Sequence, residues 1–442
     1  MDLRNGLRLT RSSQIALVGA GGKTTALFQL AGEYEVTVLA TATTHMDLEQ
    51  LQFADRHVQI LTGETIPPLK EEYHGQTLLY TGSVIDGESR VRGVTEPVLS
   101  ALRKAAITHH LPLLIEADGA RQLPLKAPAD HEPPIPPFVD TVIVMAGLSG
   151  LGKPLREDSV HRPHLFGEVA GLSPGEPIQI QHLKRVLLSS QGGLKNIPPQ
   201  ARKILLLNQA DTLESTTELE PLIHDLVGTY QAVGITSLGV NGKVHAVHEP
   251  VAGVVLAAGG SERYGRTKQL LPWRGEPLVR HVAKTALATG LDPVIVVTGA
   301  EGTEVEKAVA DVDVQFIHNP SWALGQSTSL QAGLSALSSQ VGCAVFLLAD
   351  QPQIPAALVR ALKETHAKTH APIIAAKVEG QRANPVIFDR DVFPALMALA
   401  GDVGGRVLFD RYPTVYVPWD DTSIRLDVDT PEDYQRLLNQ DP

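Results

Sequence analysis

Short apolar runs alternate with longer amphipathic stretches along almost the whole chain, the pattern of parallel sheets wound with helices. In the first half, Ile15–Val18, Val36–Ala40, Leu113–Ala117, Thr141–Met145 and Lys203–Leu207 predict strands. In the second half, Gly253–Leu256, Val294–Val297, Gln315–Ile317, Ala344–Leu348, Ile373–Ala376 and Pro385–Phe388 do the same. Each half opens on a strand followed by a glycine-rich turn, so each reads as its own nucleotide-binding unit. The polar stretch Asn241–Pro250 lies between them. The expected fold is therefore α/β, with two doubly wound domains over residues 1–245 and 246–442. The proline-rich segment His131–Pro137 reads as an ordered loop or small flap.

Composition narrows the function classes. With 442 residues, 43% of them hydrophobic and 20% charged, the chain is globular and long enough for two or three domains. Its formal net charge of −11, with no compensating basic stripe, argues against nucleic acid as a partner. Cys343 is the single cysteine and sits in the apolar run Cys343–Leu348. It is expected in the core, which excludes a disulfide within the chain and a cysteine-based zinc site. No segment approaches ~18 uninterrupted apolar residues, and Met1–Thr10 lacks the apolar core of a signal peptide. A soluble, cytoplasmic protein with no membrane partner is expected.

The most informative stretch is 256–278. After an apolar run ending at Leu256 come Ala257, Ala258, Gly259, Gly260 and Ser261, then Arg263 and Lys268. Small residues let the backbone turn tightly and bring its N–H groups against an anion, while the two cations match phosphate oxygens. Without a Walker sequence, this arrangement suits a nucleoside triphosphate attacked at its α-phosphate, hence a nucleotidyltransferase. Such chemistry needs charge neutralisation by a divalent ion, and carboxylates at strand ends are the usual holders. Asp350 follows the strand at 344–348, and Leu426–Asp433 supplies Asp427 and Asp429, which fall on one side if the segment is extended. Asp350 has the alternative of an ordinary turn residue, and Asp429 that of a helix N-cap before Thr430-Pro431-Glu432.

Together with Ala349-Asp350-Gln351-Pro352, Asn384-Pro385 and Leu426–Pro431, this stretch resembles the molybdenum cofactor cytidylyltransferases over about residues 251–440. The resemblance implies a Rossmann-like fold that joins CMP from CTP to the molybdopterin phosphate, with Mg²⁺ and release of pyrophosphate. It assigns Ala257, Ala258, Gly259, Gly260, Ser261, Arg263 and Lys268 to the triphosphate. Asp350 and Asp429 become Mg²⁺ ligands, and Lys268, Arg263 and Asp350 the catalytic group. Residues 319–330 resemble the glycine/serine loop that closes on the nucleotide, with Ser327 as a contact. Gly380–Pro385 resembles the acceptor loop, with Arg382, Asn384 and Pro385 near the pterin. Ala257-Ala258-Gly259 and Leu270-Leu271-Pro272-Trp273 favour CTP over GTP within this resemblance. Tyr264, Ala349 and Ala383 depart from its usual pattern, and an alanine at 383 would restrict φ in a loop. The acceptor is already an anion, so no general base is required.

In the first half, Gly19, Gly22, Lys23 and Thr24 follow a strand and open a helix-like stretch, a shortened phosphate-binding loop with Leu17 where a full Walker motif has glycine. Ile115–Gly119 carries the expected second carboxylate, assigned to Asp118, and ATP or GTP is the candidate nucleotide of this P-loop-like unit. Asn208-Gln209-Ala210-Asp211 is either a guanine-reading motif with its lysine replaced or an ordinary turn. With Ala40–His45, Glu116–Arg121, Leu125–Pro128 and His161–Pro163, these residues resemble the YqeC-type accessory proteins of selenium-dependent molybdenum hydroxylases over about 10–240. That implies a pathway, and a molybdenum hydroxylase as protein partner, more than a reaction. His45, His131, His161 and His164 are polar loop histidines, not expected to form a metal cluster. The competing readings are another small-phosphate nucleotidyltransferase, using GTP or a sugar phosphate, and a non-catalytic molybdenum cofactor chaperone.

Overall fold

The computed structural model of the chain describes residues 1–440 except 62, 262 and 263, with the backbone alone at 240 and 241. It divides into two compact units, Met1–His248 and Glu249–Pro442. In the first, β1 (Gln14–Gly19), β2 (Val38–Ala42), β3 (Arg56–Gln59), β4 (Thr77–Thr81), β5 (Leu113–Glu116), β6 (Thr141–Gly147), β7 (Arg202–Asn208), β8 (Ala232–Ser237) and β9 (Lys243–His248) form one sheet. Its order is β9-β8-β7-β6-β1-β5-β2-β4-β3. Neighbours run parallel except β9, which closes the edge antiparallel to β8. Successive residues of β1 feed opposite cores: Ile15 and Leu17 pack on one face, Ala16 and Val18 on the other. Burial on both faces is what continuous apolar strands require.

Residues 243–248, expected between domains, thus fold as a strand of the first sheet, and the chain passes into the second unit through Glu249-Pro250. There the strands are β10 (Val251–Leu256), β11 (Val294–Thr298), β12 (Gln315–His318), β13 (Cys343–Leu348), β14 (Ile373–Val378), β15 (Gln381–Asp389) and β16 (Thr414–Pro418). The order is β12-β11-β10-β13-β15-β14-β16, with β15 antiparallel to both neighbours and the other pairs parallel. Here too the central strand divides its side chains, Ala252 and Val254 to one core and Val255 to the other. Cys343 is buried and unpaired by any disulfide. Among the described residues no helix is long and apolar enough to cross a membrane.

A third, smaller core of the second unit joins Leu271, Trp273 and Leu278 to Val428 and Leu437. Tyr434 donates its hydroxyl to Pro272 O and meets Tyr264 edge-on at 6.4 Å. Burial of these apolar groups fastens the segment carrying Asp427 and Asp429 beside the glycine-rich turn. The Leu270–Trp273 run that favoured CTP in the sequence therefore also has a packing role.

Candidate functional site

In the second unit the turn after β10 is built in two parts. Ala257 and Ala258 are buried and still tied to the sheet, by Ala257 N to Val297 O at 2.9 Å and Ala300 N to Ala258 O at 3.1 Å. The open turn begins at Gly259, whose carbonyl accepts from Gln269 Nε2 at 2.9 Å. Ser261 Oγ donates to Gln269 Oε1 at 3.3 Å and accepts from Lys268 N at 3.1 Å. Gln269, 3% exposed, is thus the clamp of the turn, a role its polar identity in a polar stretch did not announce. A Cβ on Gly260 would stand 2.9 Å from the Trp322 ring, so only glycine allows that approach. Arg263 lies outside the described residues.

Lys268 Nζ reaches two carboxylates at once, Asp350 Oδ2 at 2.5 Å and Asp429 Oδ1 at 2.6 Å. Asp350 leaves the turn after β13, where its carbonyl accepts from Val428 N at 3.3 Å and draws the 427–429 segment in. Asp429 is not the N-cap of the helix Pro431–Asn439. Thr430 is, its hydroxyl accepting from Asp433 N while the Asp433 carboxylate accepts from Thr430 N. Burial alone would depress the Lys268 ammonium, but Asp350 and Asp429 outweigh it and hold its pKa above the ordinary value. Asp427 points elsewhere, accepting from Gln351 Nε2 at 2.5 Å. Desolvation, then the Asp350 charge, push its carboxyl up to about 6.

Two carboxylates that share one ammonium converge on a position for a small cation. Among the described residues no group of three or more His, Cys, Asp and Glu side chains is arranged around a metal. A divalent ion at this point would have two protein ligands and would complete its shell from water and phosphate oxygens.

Beside this triad lies a cleft of about 480 Å³, reached by Gln351, Arg382, Asn384, Arg406, Arg425 and Asp427. The expected acceptor loop 380–385 is mostly strand: Gln381–Asp389 is β15, with Arg382 opposite Lys377. An alanine at 383 is at ease in an extended strand, so the expected restriction disappears. Arg382 and Asn384 line the cleft, whereas Pro385 is buried and does not. Ser327 is 1% exposed and spends its hydroxyl on Gly401 O at 2.7 Å. It sits in the first turn of α2 (Gln326–Ser335), facing a neighbouring loop of the protein.

In the first unit, β1 runs through Gly19 and Gly22 into α1 (Lys23–Gly32). Gly22 has φ +115°, and a Cβ there would stand 2.7 Å from Asn208 Nδ2. Lys23, 5% exposed, donates to Gly19 O at 2.7 Å and lies 3.2 Å from Asp118 Oδ1. Asp118 in turn accepts from Gly19 N at 3.0 Å and from Lys126 at 2.9 Å. Lys126 continues to Glu132 at 3.0 Å, and Arg162 grips Glu132 with two bonds of 2.5 and 2.8 Å. A buried chain of alternating charges thus runs from the loop lysine into the proline-rich segment. Burial would raise the Glu132 carboxyl, but Arg162 and Lys126 pull it down to about 2.

The carboxylate facing Thr24 is Glu116, which accepts from Thr24 Oγ1 at 2.8 Å. Asp118 therefore holds the lysine side, and the position beside the hydroxyl belongs to its neighbour two residues earlier. Asn208 is 2% exposed, donates to Gly21 O at 2.7 Å and accepts from Thr236 and Leu238 N, so it braces the loop. Gln209 accepts from Ser149. His161 is pushed down to about 4 by burial and by Arg162 and Lys126, which keeps it neutral.

Residues 253–415 match the MobA-like NTP transferase domain family, and residues 15–164 match the YqeC protein family. The first match ends before Asp427 and Asp429. Over 223 residues the chain is 31% identical to the uncharacterized protein YqeC of Escherichia coli (strain K12), covering 49% of this chain and 83% of that protein. Nicotine blue oxidoreductase of Paenarthrobacter nicotinovorans is 32% identical over 198 residues, 42% of this chain and 96% of its own length. Molybdenum cofactor cytidylyltransferase of Escherichia coli (strain K12) is 34% identical over 88 residues, 20% of this chain and 45% of that protein.

Proposed function

Because the chain belongs to the YqeC family through its first half and to the MobA-like NTP transferases through its second, we propose that it serves molybdenum cofactor maturation. The second unit transfers CMP from CTP to the phosphate of molybdopterin and releases pyrophosphate. The observation that carries this reading is the Asp350–Lys268–Asp429 triad beside the Gly259–Ser261 turn. The partial likeness to a molybdenum cofactor cytidylyltransferase supports the choice of substrate pair.

An oxygen of the acceptor phosphate forms a bond to the α-phosphorus of CTP. The bond from that phosphorus to the bridging oxygen breaks, and pyrophosphate leaves with the electron pair. The backbone N–H groups of 259–261 and the Lys268 ammonium offset the charge of the triphosphate, with Arg263 assigned the same task. The acceptor is ionised at neutral pH, so holding the two anions in line is the protein's main contribution. Asp350 and Asp429 fit Mg²⁺, which tolerates two protein carboxylates and keeps its waters. When bound, the ion supplies further charge neutralisation at the phosphates.

For the first unit we propose a nucleotide-binding accessory, with ATP or GTP phosphates at Gly19, Gly22, Lys23 and Thr24 and a molybdenum hydroxylase as the eventual partner. The Lys23–Asp118 and Thr24–Glu116 contacts support a phosphate loop held ready by its own carboxylates. The test of the whole reading is the product. With CTP and molybdopterin, mass spectrometry should show the acceptor heavier by one cytidylyl group, CMP less a water. A product with GTP or with a sugar phosphate would instead select the rival transferase, and no product with any nucleotide would leave the chaperone.

A further inference from the structure

The cleft beside the triad has a charge pattern of its own. Its floor includes Phe346 and Phe388, and its rim carries three guanidinium groups, Arg382, Arg406 and Arg425, against the single carboxylate of Asp427. In a chain of formal net charge −11, three arginines converging on one cleft mark a place for an anion. Two of the three are partly occupied by the protein. Arg382 lies over the Phe409 ring at 3.9 Å, and Arg425 bonds Gln381 Oε1 and approaches Glu379 at 3.6 Å.

Arg406 differs: no hydrogen bond or ion pair reaches its guanidinium among the described residues, although its mount is firmly built. It sits on the short turn Gly405–Leu408. The segment before that turn is fastened to the start of α2 by Ser327 Oγ to Gly401 O at 2.7 Å and Gln326 N to Asp402 Oδ1 at 3.2 Å. Gly404 and Gly405 pack so closely that a Cβ would fall 2.5 Å from Gln326 Oε1 and 2.6 Å from the Phe388 ring. With no partner among the described residues the Arg406 guanidinium keeps its donors for a ligand, and the rigid backbone beneath it confines the ordering that binding must impose to the side chain itself. The cleft is also lined by Gln351 and Asp427, whose neighbours in sequence or charge are Asp350 and Asp429.

We propose that Arg406 binds the phosphate of the acceptor in this cleft, and that Ser327 is a positioning residue that sets Arg406 through Gly401. The inference rests on reading the second unit as a nucleotidyltransferase with a phosphate acceptor. A planar guanidinium gives such a phosphate two parallel donors, which a lysine cannot reproduce.

The test uses the full chain and the variants Arg406→Ala, Arg406→Lys and Ser327→Ala. Arg406→Ala should raise the KM for molybdopterin by at least about ten- to a hundredfold, the range for losing a single charge-assisted hydrogen bond and so the lower bound for a two-donor contact. The KM for CTP and the melting temperature should hardly move. Arg406→Lys should recover part of the loss, and Ser327→Ala should raise the same KM without moving that for CTP. A rise in the KM for CTP alone would give the cleft to the nucleotide and overturn the proposal, as would no change in either. Calorimetric titration with inorganic phosphate in the absence of nucleotide separates this inference from the reading beneath it. If the wild type turns over no nucleotide, that reading fails. Loss of phosphate binding in Arg406→Ala would still support the cleft site, and unchanged binding would overturn it.

Discussion

Replacing Lys268 by methionine separates two properties that most active-site changes abolish together. The ammonium neutralises Asp350 and Asp429 in the structure, and the proposed mechanism also sets it against the triphosphate. A divalent ion entering between the carboxylates must first displace it. Lys268 and Asp350 are each 15% exposed, so that contact is worth about 1.5–3 kcal/mol as a charge-assisted hydrogen bond. Asp429 is 40% exposed, and its contact is worth only about 0.5 kcal/mol after screening by water. Taking about 2 kcal/mol for the displacement, Lys268→Met should bind Mn²⁺ about 30-fold more tightly than the wild type. Transfer should nevertheless fall by on the order of 10²–10³, the cost of removing one preorganised donor from a charged transition state. Calorimetry reads the first effect and pyrophosphate release the second, with Asp350→Asn expected to lose both. Unchanged or weaker Mn²⁺ binding in a folded Lys268→Met protein would refute the claim that the lysine sits where the ion belongs.

The charge chain of the first unit is accessible to denaturation. Glu132→Gln leaves Arg162 without a carboxylate and Lys126 with Asp118 alone, and should cost about 3 kcal/mol at pH 7. The native Glu132 carboxyl lies at about 2, below its usual value, so its stabilisation is complete above pH 4.5 and fades as pH falls toward 2. The gap between wild type and variant should therefore close in acid, and a constant gap would contradict the ionic account. Asp427→Asn should behave in the opposite sense. With the native carboxyl raised from its ordinary 3.8 to about 6, the folded wild type holds a proton that the unfolded chain has lost, so the variant's relative melting temperature should climb between about pH 4 and 6 and level off above. Gly22→Ala forces a side chain into φ +115° and against Asn208, and should destabilise by about 1–3 kcal/mol while removing any thermal shift produced by ATP or GTP.

Most interior strands were legible because both faces are buried and a continuous apolar run is a strong signal, but the buried Thr77–Thr81 and Ala232–Ser237 were not, because threonine, glycine and serine interrupt their apolar residues. Of the edge strands only Gln315–His318 was read. Arg56–Gln59 is largely exposed and Thr414–Pro418 half-buried, so neither shows such a run. Residues 380–385 read as a loop because Gly380 and Asn384-Pro385 are turn-like in isolation, yet pairing with β14 overrides that preference. Asp350 and Asp429 were visible as strand-end carboxylates, but that one lysine bridges them depends on packing of the C-terminal segment against Leu271 and Trp273. Ser327 illustrates the limit most clearly. Its motif pointed to a nucleotide, while its partner, Gly401, lies 74 residues away. The same distance effect hid Glu116 as the partner of Thr24.

The second unit is proposed to move CMP onto a phosphate acceptor through the triad. Pyrophosphate release by the full chain, with Mg²⁺ and molybdopterin, tests it most directly when CTP, GTP and ATP are compared and Asp350→Ala is run alongside. Release with CTP that requires the acceptor and disappears in the variant is the expected result. Release that persists in folded Asp350→Ala, or none with any nucleotide from folded wild type, would contradict it.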